Sequence, residues 1–397
     1  MQFLSGINRN VALLALSQAL MMTTTSAIIA SAALIGHALA EDKALATIPV
    51  AFQFVATMLT SIPASLYMRR VGRRWGFVTG AMIGVAGAAI ATAAIAVSSF
   101  WLFALGVTLI GSMLAFGQFF RFAAADTAGP DMRSRAISLV LLGGVVAAFT
   151  GPNLARFTKD LFDPVAFAGT FAVIVVIYLA LALVASFLTI PPMSAADKSG
   201  PQRPLLDILS QPKCIVAILG AVSGYAVMTF VMTVTPLAMA DCGFAFGDSA
   251  SVIQWHIVGM FLPSFFTGHL VARFGATNMM IVGALLQALC VAINLAGIDY
   301  LNFVSALILL GVGWNFLFIG GTSLLTECYT PAEMAKTQGF NDFCIWGFVA
   351  VGALLSGASI HHLGWAIVNS VTLPLIAMAL IATVWLRFDL ARHRAAA

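Results

Sequence analysis

From Val11 to Gly36 the chain carries no Asp, Glu, Lys or Arg, and uncharged runs of this kind recur along its whole length. Each is long enough to cross a bilayer, which takes about 20 apolar residues in a helix. Apolar runs bounded by charges and turn residues predict twelve spans, near 11–36, 44–68, 76–97, 99–123, 136–157, 165–190, 214–240, 249–271, 277–297, 300–324, 338–360 and 364–386. Only 9% of the 397 residues are charged, against about a quarter in a soluble domain, so a water-soluble globule is excluded. The runs are continuous and do not alternate at period two, which excludes an outer-membrane barrel. No small-residue cleavage site closes a short core after Arg9, so the first span reads as a retained helix.

Basic residues orient these spans. With the N-terminus inside, 16 of the 19 Lys and Arg fall in cytoplasmic segments, and only Lys43, Arg156 and Lys159 fall outside. Both termini are therefore expected in the cytoplasm. Five Cys with no CxxC give neither a zinc ribbon nor a disulfide framework. The polar stretch 191–213 holds several Pro and the charges Asp197, Lys198, Arg203 and Asp207, and predicts a cytoplasmic linker between six-helix halves at 1–190 and 214–397. The halves echo each other. Arg70-Val71-Gly72, with Gly80 beyond it, recurs as Arg273-Phe274-Gly275 with Gly283, at a constant offset of 203. Pro130-Asp131-Met132-Arg133 has a looser echo in Pro331-Ala332-Glu333-Met334. Two echoes in the same order argue for duplication of a six-helix unit.

With its six plus six helices, central linker and Arg70-x-Gly72-Arg73-Arg74 turn, the chain resembles the major facilitator superfamily. The resemblance implies an all-α membrane protein of twelve transmembrane helices in two pseudo-symmetric halves. It also implies an alternating-access carrier, with a central cavity lined mainly by the first, fourth, seventh and tenth helices. The family's turn usually opens with Gly and Asp, where this chain has Leu66-Tyr67-Met68-Arg69.

The seventh and eighth spans carry the residues that bear on cargo. Met228 and Met232 are four apart, as are His256 and Met260, so each pair shares one helix face. In an antiparallel hairpin, residues whose numbers share one sum sit at one height. Met228 with Met260 and Met232 with His256 both give 488, centred on the loop from Asp241 to Asp248. Two layers about 6 Å apart follow, the lower close to the bilayer middle. Three thioethers and one imidazole form a soft, neutral set that suits Cu(I), and suits Mg, Ca or Mn poorly. Methionine also fills gaps between packed helices, which leaves packing as the alternative reading of the same spacing.

This pair of motifs, with Cys242 beside Asp241, resembles the CcoA-like copper importers. That resemblance implies copper uptake across a bacterial inner membrane for assembly of cbb-type cytochrome oxidase, with Met228, Met232, His256 and Met260 as metal ligands. The same subgroup is close to riboflavin importers, which leaves an organic solute, by flavin uptake or drug efflux, as the alternative. Arg121, Asp126 and Asp342 are intramembrane charges, read as an interfacial charge network or as the site of proton coupling. Trp314, Asn315 and Gln118 are candidate cavity residues, whereas Gln53, His37, His269, His361 and His362 read as ordinary interior or end positions. No GxxxxGKS/T, HExxH or nucleophilic triad occurs, which argues against an enzyme, an ATP-driven pump or a resident cofactor. The basic loops read as topology determinants, giving no nucleic-acid partner. The sequence thus predicts a monomeric carrier that imports copper.

Overall fold

The computed structural model describes residues 8–42, 45, 48–129, 132–190 and 201–396. Lys43, Pro130, Asp131 and the linker residues 191–200, Asp197 and Lys198 among them, lie outside the described residues, as do the side chains of His361 and His362. The N-terminal half holds α1 (Arg9–Leu39), α2 (Ile48–Val71), α3 (Arg73–Ala96), α4 (Phe100–Gly117), α5 (Phe120–Thr127), α6 (Arg133–Leu141), α7 (Gly143–Thr158) and α8 (Ala168–Ser186). After the short α9 (Leu205–Leu209) come α10 (Pro212–Asp241), α11 (Phe246–Phe261), α12 (Ser264–Phe274), α13 (Ala276–Ala296), α14 (Tyr300–Leu325), α15 (Met334–Ser370) and α16 (Leu373–Ala396).

Eleven helical stretches among the described residues are long and apolar enough to cross a membrane. Helix α15, which breaks at Gly364 (φ 73°), covers the remaining predicted span. Three spans are interrupted. The fourth breaks at Gln118–Phe119, where Phe119 N–H turns back to Phe116 C=O, and the fifth breaks at Leu142. The eighth breaks at Leu262–Pro263, since proline has no N–H to continue the ladder.

The chain forms two compact units. Unit 1 is Met1–Ala128, Leu139–Pro201 and Pro331–Gly347; unit 2 is Gly129–Ser138, Gln202–Thr330 and Phe348–Ala397. Pro331–Gly347, which includes the start of α15, is thus a part of unit 1 drawn from far along the sequence. Inside unit 1, α4 packs on α2 and α3, and α3 packs on α8. Inside unit 2 the equivalent helices repeat this: α14 packs on α11 and α13, and α13 packs on α16. Unit 2 differs in that α14 also packs extensively on α10.

The sequence echo has a backbone cause. Gly72 has φ 91° and ψ 159°, and Gly275 has φ 88° and ψ 151°, a region essentially closed to residues with a Cβ. Gly72 N–H donates to Met68 C=O and Gly275 N–H to Val271 C=O, both at 2.8 Å. The same 203-residue offset relates all four positions. Close helix crossings repeat as well. A Cβ on Gly87 of α3 would lie 2.7 Å from the Gly106 carbonyl of α4, and one on Gly283 of α13 would lie 2.8 Å from the Gly313 carbonyl of α14. Small residues let apolar helices approach where lipid supplies no hydrophobic drive between them.

Candidate functional site

Helix α14 is the hub of unit 2, and the sequence-predicted set lies around it. His256 and Met260 occupy the face of α11 that meets α14 at Gly311, where a Cβ would lie 2.6 Å from the His256 carbonyl and 2.7 Å from the Met260 nitrogen. On the other side, Gly224 of α10 abuts Leu317, at 3.1 Å from its ideal Cβ, and Gly321 abuts the Ala217 carbonyl at 2.8 Å. Helices α10 and α14 therefore run antiparallel. Six residues from Leu317 to Gly311, about 9 Å, bring α10 from Gly224 to the level between Met228 and Met232. The four residues occupy one band of unit 2. Met228, Met260 and His256 are buried, and Met232 is half-buried.

His256 has a defined tautomer. Its Nδ1 lies 2.7 Å from the Leu307 carbonyl, which can only accept, so Nδ1 carries the proton and Nε2 keeps a lone pair. Nε2 is enclosed and has no hydrogen-bond partner. It is a basic nitrogen positioned to accept from a ligand or to bind a soft ion. Among the described residues no group of three or more His, Cys, Asp or Glu gathers where it could hold a metal ion. Any ion at this band would rest on the thioethers and His256 alone. Cys242 is exposed just beyond α10.

Beside the band stands a wall of four aromatic rings, of which the sequence marked only Trp314. Trp314 stacks on Phe318 with centroids 5.2 Å apart and planes 17° from parallel. Tyr225 of α10 meets both rings edge-on, at 5.1 and 5.0 Å, and Phe261 of α11 meets Trp314 edge-on at 5.5 Å. Trp314 Nε1 is buried without a hydrogen-bond partner, leaving one N–H donor in an apolar surround. Tyr225 is the half-buried member. The spacing of Trp314 and Phe318 by four on α14 is the one sequence signal for this wall, and with 30 Phe in the chain it does not stand out.

Asn315 has a structural part. Its Nδ2 donates to the Met260 carbonyl and to Ser264 Oγ, each at 2.7 Å, and its Oδ1 accepts from Thr267 Oγ1 at 2.6 Å. It thereby fastens α14 across the break between α11 and α12.

Unit 1 gathers the intramembrane charges. Arg121 pairs with Asp342 of α15, and its Nη1 also donates to the Gln118 carbonyl at 2.7 Å. Arg73 donates to Asp126 at 3.0 Å and to Gln338 Oε1 at 2.6 Å. Gln53 is fully buried in α2 with neither amide atom hydrogen-bonded. Nearby in sequence, Phe54 stacks on Trp346 at 6.0 Å.

Comparison with known proteins follows the same architecture. The Major Facilitator Superfamily model matches residues 14–262 and 216–396. The riboflavin transporter RfnT of Brucella anthropi is 41% identical over 383 residues, covering 96% of each chain. An uncharacterized MFS-type transporter of Bacillus subtilis, YddS, is 30% identical over 372 residues, covering 88% of this chain and 85% of its own. Among solved structures, FucP in its outward conformation superimposes with a TM-score of 0.75 at 17% identity, over 94% of this chain and 98% of FucP.

Proposed function

The chain belongs to the major facilitator superfamily of transporters, and from that premise we propose that its cargo is a flat, conjugated organic solute of the riboflavin type, imported across a bacterial inner membrane with both termini inside. It is a multi-pass membrane carrier and not an enzyme. The observation that carries the cargo assignment is the 41% identity to a riboflavin transporter over almost the full length of both proteins. This favours the organic solute over copper, and the link to cytochrome oxidase assembly goes with the copper reading.

The chemistry of unit 2 supports the same choice. An isoalloxazine ring is planar, with carbonyl acceptors and an imide N–H donor. Tyr225, the half-buried ring of the aromatic wall, would offer a ring for stacking, and the unpartnered Trp314 Nε1 and His256 Nε2 are a donor and an acceptor in the same unit. Stacking a ring on an aromatic side chain contributes about 1–3 kcal/mol by the measure of alanine substitution at nucleic-acid bases. Loss of the half-buried Tyr225 ring should therefore weaken binding about 5- to 150-fold.

The test is riboflavin binding to purified protein, read by quenching of flavin fluorescence, together with uptake of labelled riboflavin. Tyr225→Leu should bind at least about fivefold more weakly and Tyr225→Phe within about twofold of the parent. Normal binding by a folded Tyr225→Leu variant would reject the wall as the flavin site. Copper is kept as a second reading because Met228 and Met260 are buried in the same unit as His256, whose Nε2 is unpartnered. Met228→Leu conserves volume and should leave riboflavin uptake intact. Loss of radioactive copper uptake in that variant, insensitive to excess riboflavin, would instead establish the thioether site.

A further inference from the structure

Two cysteines that stand far apart in the sequence meet in unit 2. Cys214, in the first turn of α10, and Cys328, three residues beyond α14, are both buried, and a thiol hydrogen bond joins their sulfurs. We propose that this pair is a dithiol site that a hydroperoxide converts reversibly to a disulfide, clasping the entry of α10 to the exit of α14. The proposal does not depend on the identity of the solute.

Neighbouring contacts hold the same two stretches together. Gln211 Nε2 and Arg203 Nη2 both donate to the Cys328 carbonyl, each at 3.0 Å. Lys213 Nζ donates to Glu327 Oε2 at 3.0 Å. The Cys328 thiol also lies 3.4 Å from the Leu324 carbonyl, which keeps its side chain over the last turn of α14. All of these residues fall within the 202–330 part of unit 2. A disulfide brings its sulfurs to about 2 Å, a short further approach for two thiols already in hydrogen-bond contact. The exposed Cys242 stands past the far end of α10, about 42 Å along the helix from Cys214. Cys290 accepts from Asn294 Nδ2 at 3.7 Å within α13.

One hydroperoxide balances the reaction. A first sulfur, as thiolate, attacks a peroxide oxygen: an S–O bond forms, the O–O bond breaks, and the leaving oxygen takes up the proton that the thiol released. The second sulfur attacks the sulfenic sulfur: the S–S bond forms, the S–O bond breaks, and hydroxide leaves as water with the second thiol's proton. Together the sulfurs lose two electrons and the peroxide gains them. A dithiol reductant reverses the step by exchange. Arg203 and Lys213 place cations at the pair, and cations favour the thiolate that attacks. Under the orientation proposed above the pair lies on the cytoplasmic side, where thiols rest reduced and the disulfides that do form are transient or sense oxidants. The bond closes a loop of more than a hundred residues, so the oxidised chain resists unfolding more than the reduced one.

The test uses the purified full chain in detergent micelles. It is treated with hydrogen peroxide, denatured, blocked with a maleimide, digested and read by mass spectrometry. A peptide linking Cys214 to Cys328, lighter by two hydrogens than its separate parts, should dominate after peroxide and vanish after dithiothreitol. Oxidation of the exposed Cys242 in the same sample shows that the reagent acted. Recovery of Cys214 and Cys328 as maleimide adducts at that point would overturn the proposal, as would their conversion to sulfinic acids without a link, or a link from either to another cysteine. The oxidised parent should also unfold at a higher SDS content than the reduced parent. Cys214→Ser should lose that difference and Cys242→Ser should keep it. A linked parent that unfolds at the same SDS content as the reduced one would overturn the clasp.

Discussion

Three glycines separate backbone strain from crowding, and their substitution gives a graded prediction. At Gly275 an added Cβ would meet nothing within 4 Å, but φ is 88° and ψ 151°. Alanine there costs strain alone, about 1–3 kcal/mol, or about 5- to 150-fold in the folding equilibrium. Asparagine should give no relief, because its tolerance of positive φ applies near ψ of about 47°, far from this turn. At Gly283 the cost has the other origin. The Cβ would lie 2.8 Å from the Gly313 carbonyl and 3.0 Å from two Leu317 atoms, so α13 and α14 must separate at a cost of about 1–3 kcal/mol. Gly247, near the start of α11, has neither problem, with open space around it and no positive φ. Alanine there should be neutral or stabilise by up to about 1 kcal/mol. Unfolding of purified protein in mixed micelles of rising SDS content, followed by tryptophan fluorescence, ranks the three. A Gly275→Ala variant as stable as the parent would refute the strain argument. Loss at Gly247 equal to that at Gly275 would show that any added methyl is harmful.

Further predictions concern the two clusters. Arg121→Met should destabilise by about 3–5 kcal/mol, since it leaves Asp342 charged and buried, and the double variant Arg121→Met/Asp342→Leu should recover most of the loss in thermal unfolding. Asn315→Leu removes both donors and the acceptor that fasten α14 to α11 and α12, and should cost about 1–3 kcal/mol in the same assay while also weakening riboflavin binding. His256→Gln keeps an acceptor oxygen but replaces a soft-ion ligand with a hard one, so riboflavin binding should change by no more than about tenfold. Cu(I) binding, if present in the parent, should disappear in that variant by competition against a chromogenic chelator.

Lipid wrote the spans into the sequence plainly, because each bilayer crossing must be apolar and uninterrupted by charge. The turn glycines were legible for a related reason: only glycine fits their backbone, so Gly72 and Gly275 keep both identity and spacing. The breaks at Gln118–Phe119 and Leu142 are bordered by Gly117 and by Gly143-Gly144, but with 34 Gly in the chain, many inside unbroken helices, these do not stand out. Nor does the sequence reveal that Pro331–Gly347 packs in unit 1. The Arg121–Asp342 pair spans 221 residues, and helical periodicity says nothing about so distant a partner. The Met and His spacings were visible in the sequence. Spacing alone did not distinguish a ligand set from packing, and it gave no sign that His256 would turn Nδ1 toward the backbone of α14. Tyr225, Phe261 and Phe318 were hidden among many aromatic residues in apolar helices, where a ring that meets solute and a ring that fills space look alike.

Helix α14 carries both the packing of unit 2 and the recognition surface proposed for it. Residues four apart share a helix face, and α14 carries three such stripes side by side. Gly311 and Asn315 receive α11 and α12, by close approach and by hydrogen bonds. Gly313 and Leu317 receive α13, with Leu317 also meeting Gly224 of α10. Trp314 and Phe318 form the aromatic wall with Tyr225. The first two stripes fix how near α10, α11 and α13 come to the helix, and the third is buried behind Tyr225, the half-buried ring that we propose a planar solute contacts. Close helix approach and the aromatic contacts are thus supplied by different residues on one element. Exchanging Trp314 and Phe318 for aliphatic residues while Gly311, Gly313 and Asn315 stay in place removes the ring contacts to Tyr225 and Phe261 and keeps the close approaches and hydrogen bonds to α11, α12 and α13; under the proposed reading it should weaken riboflavin binding.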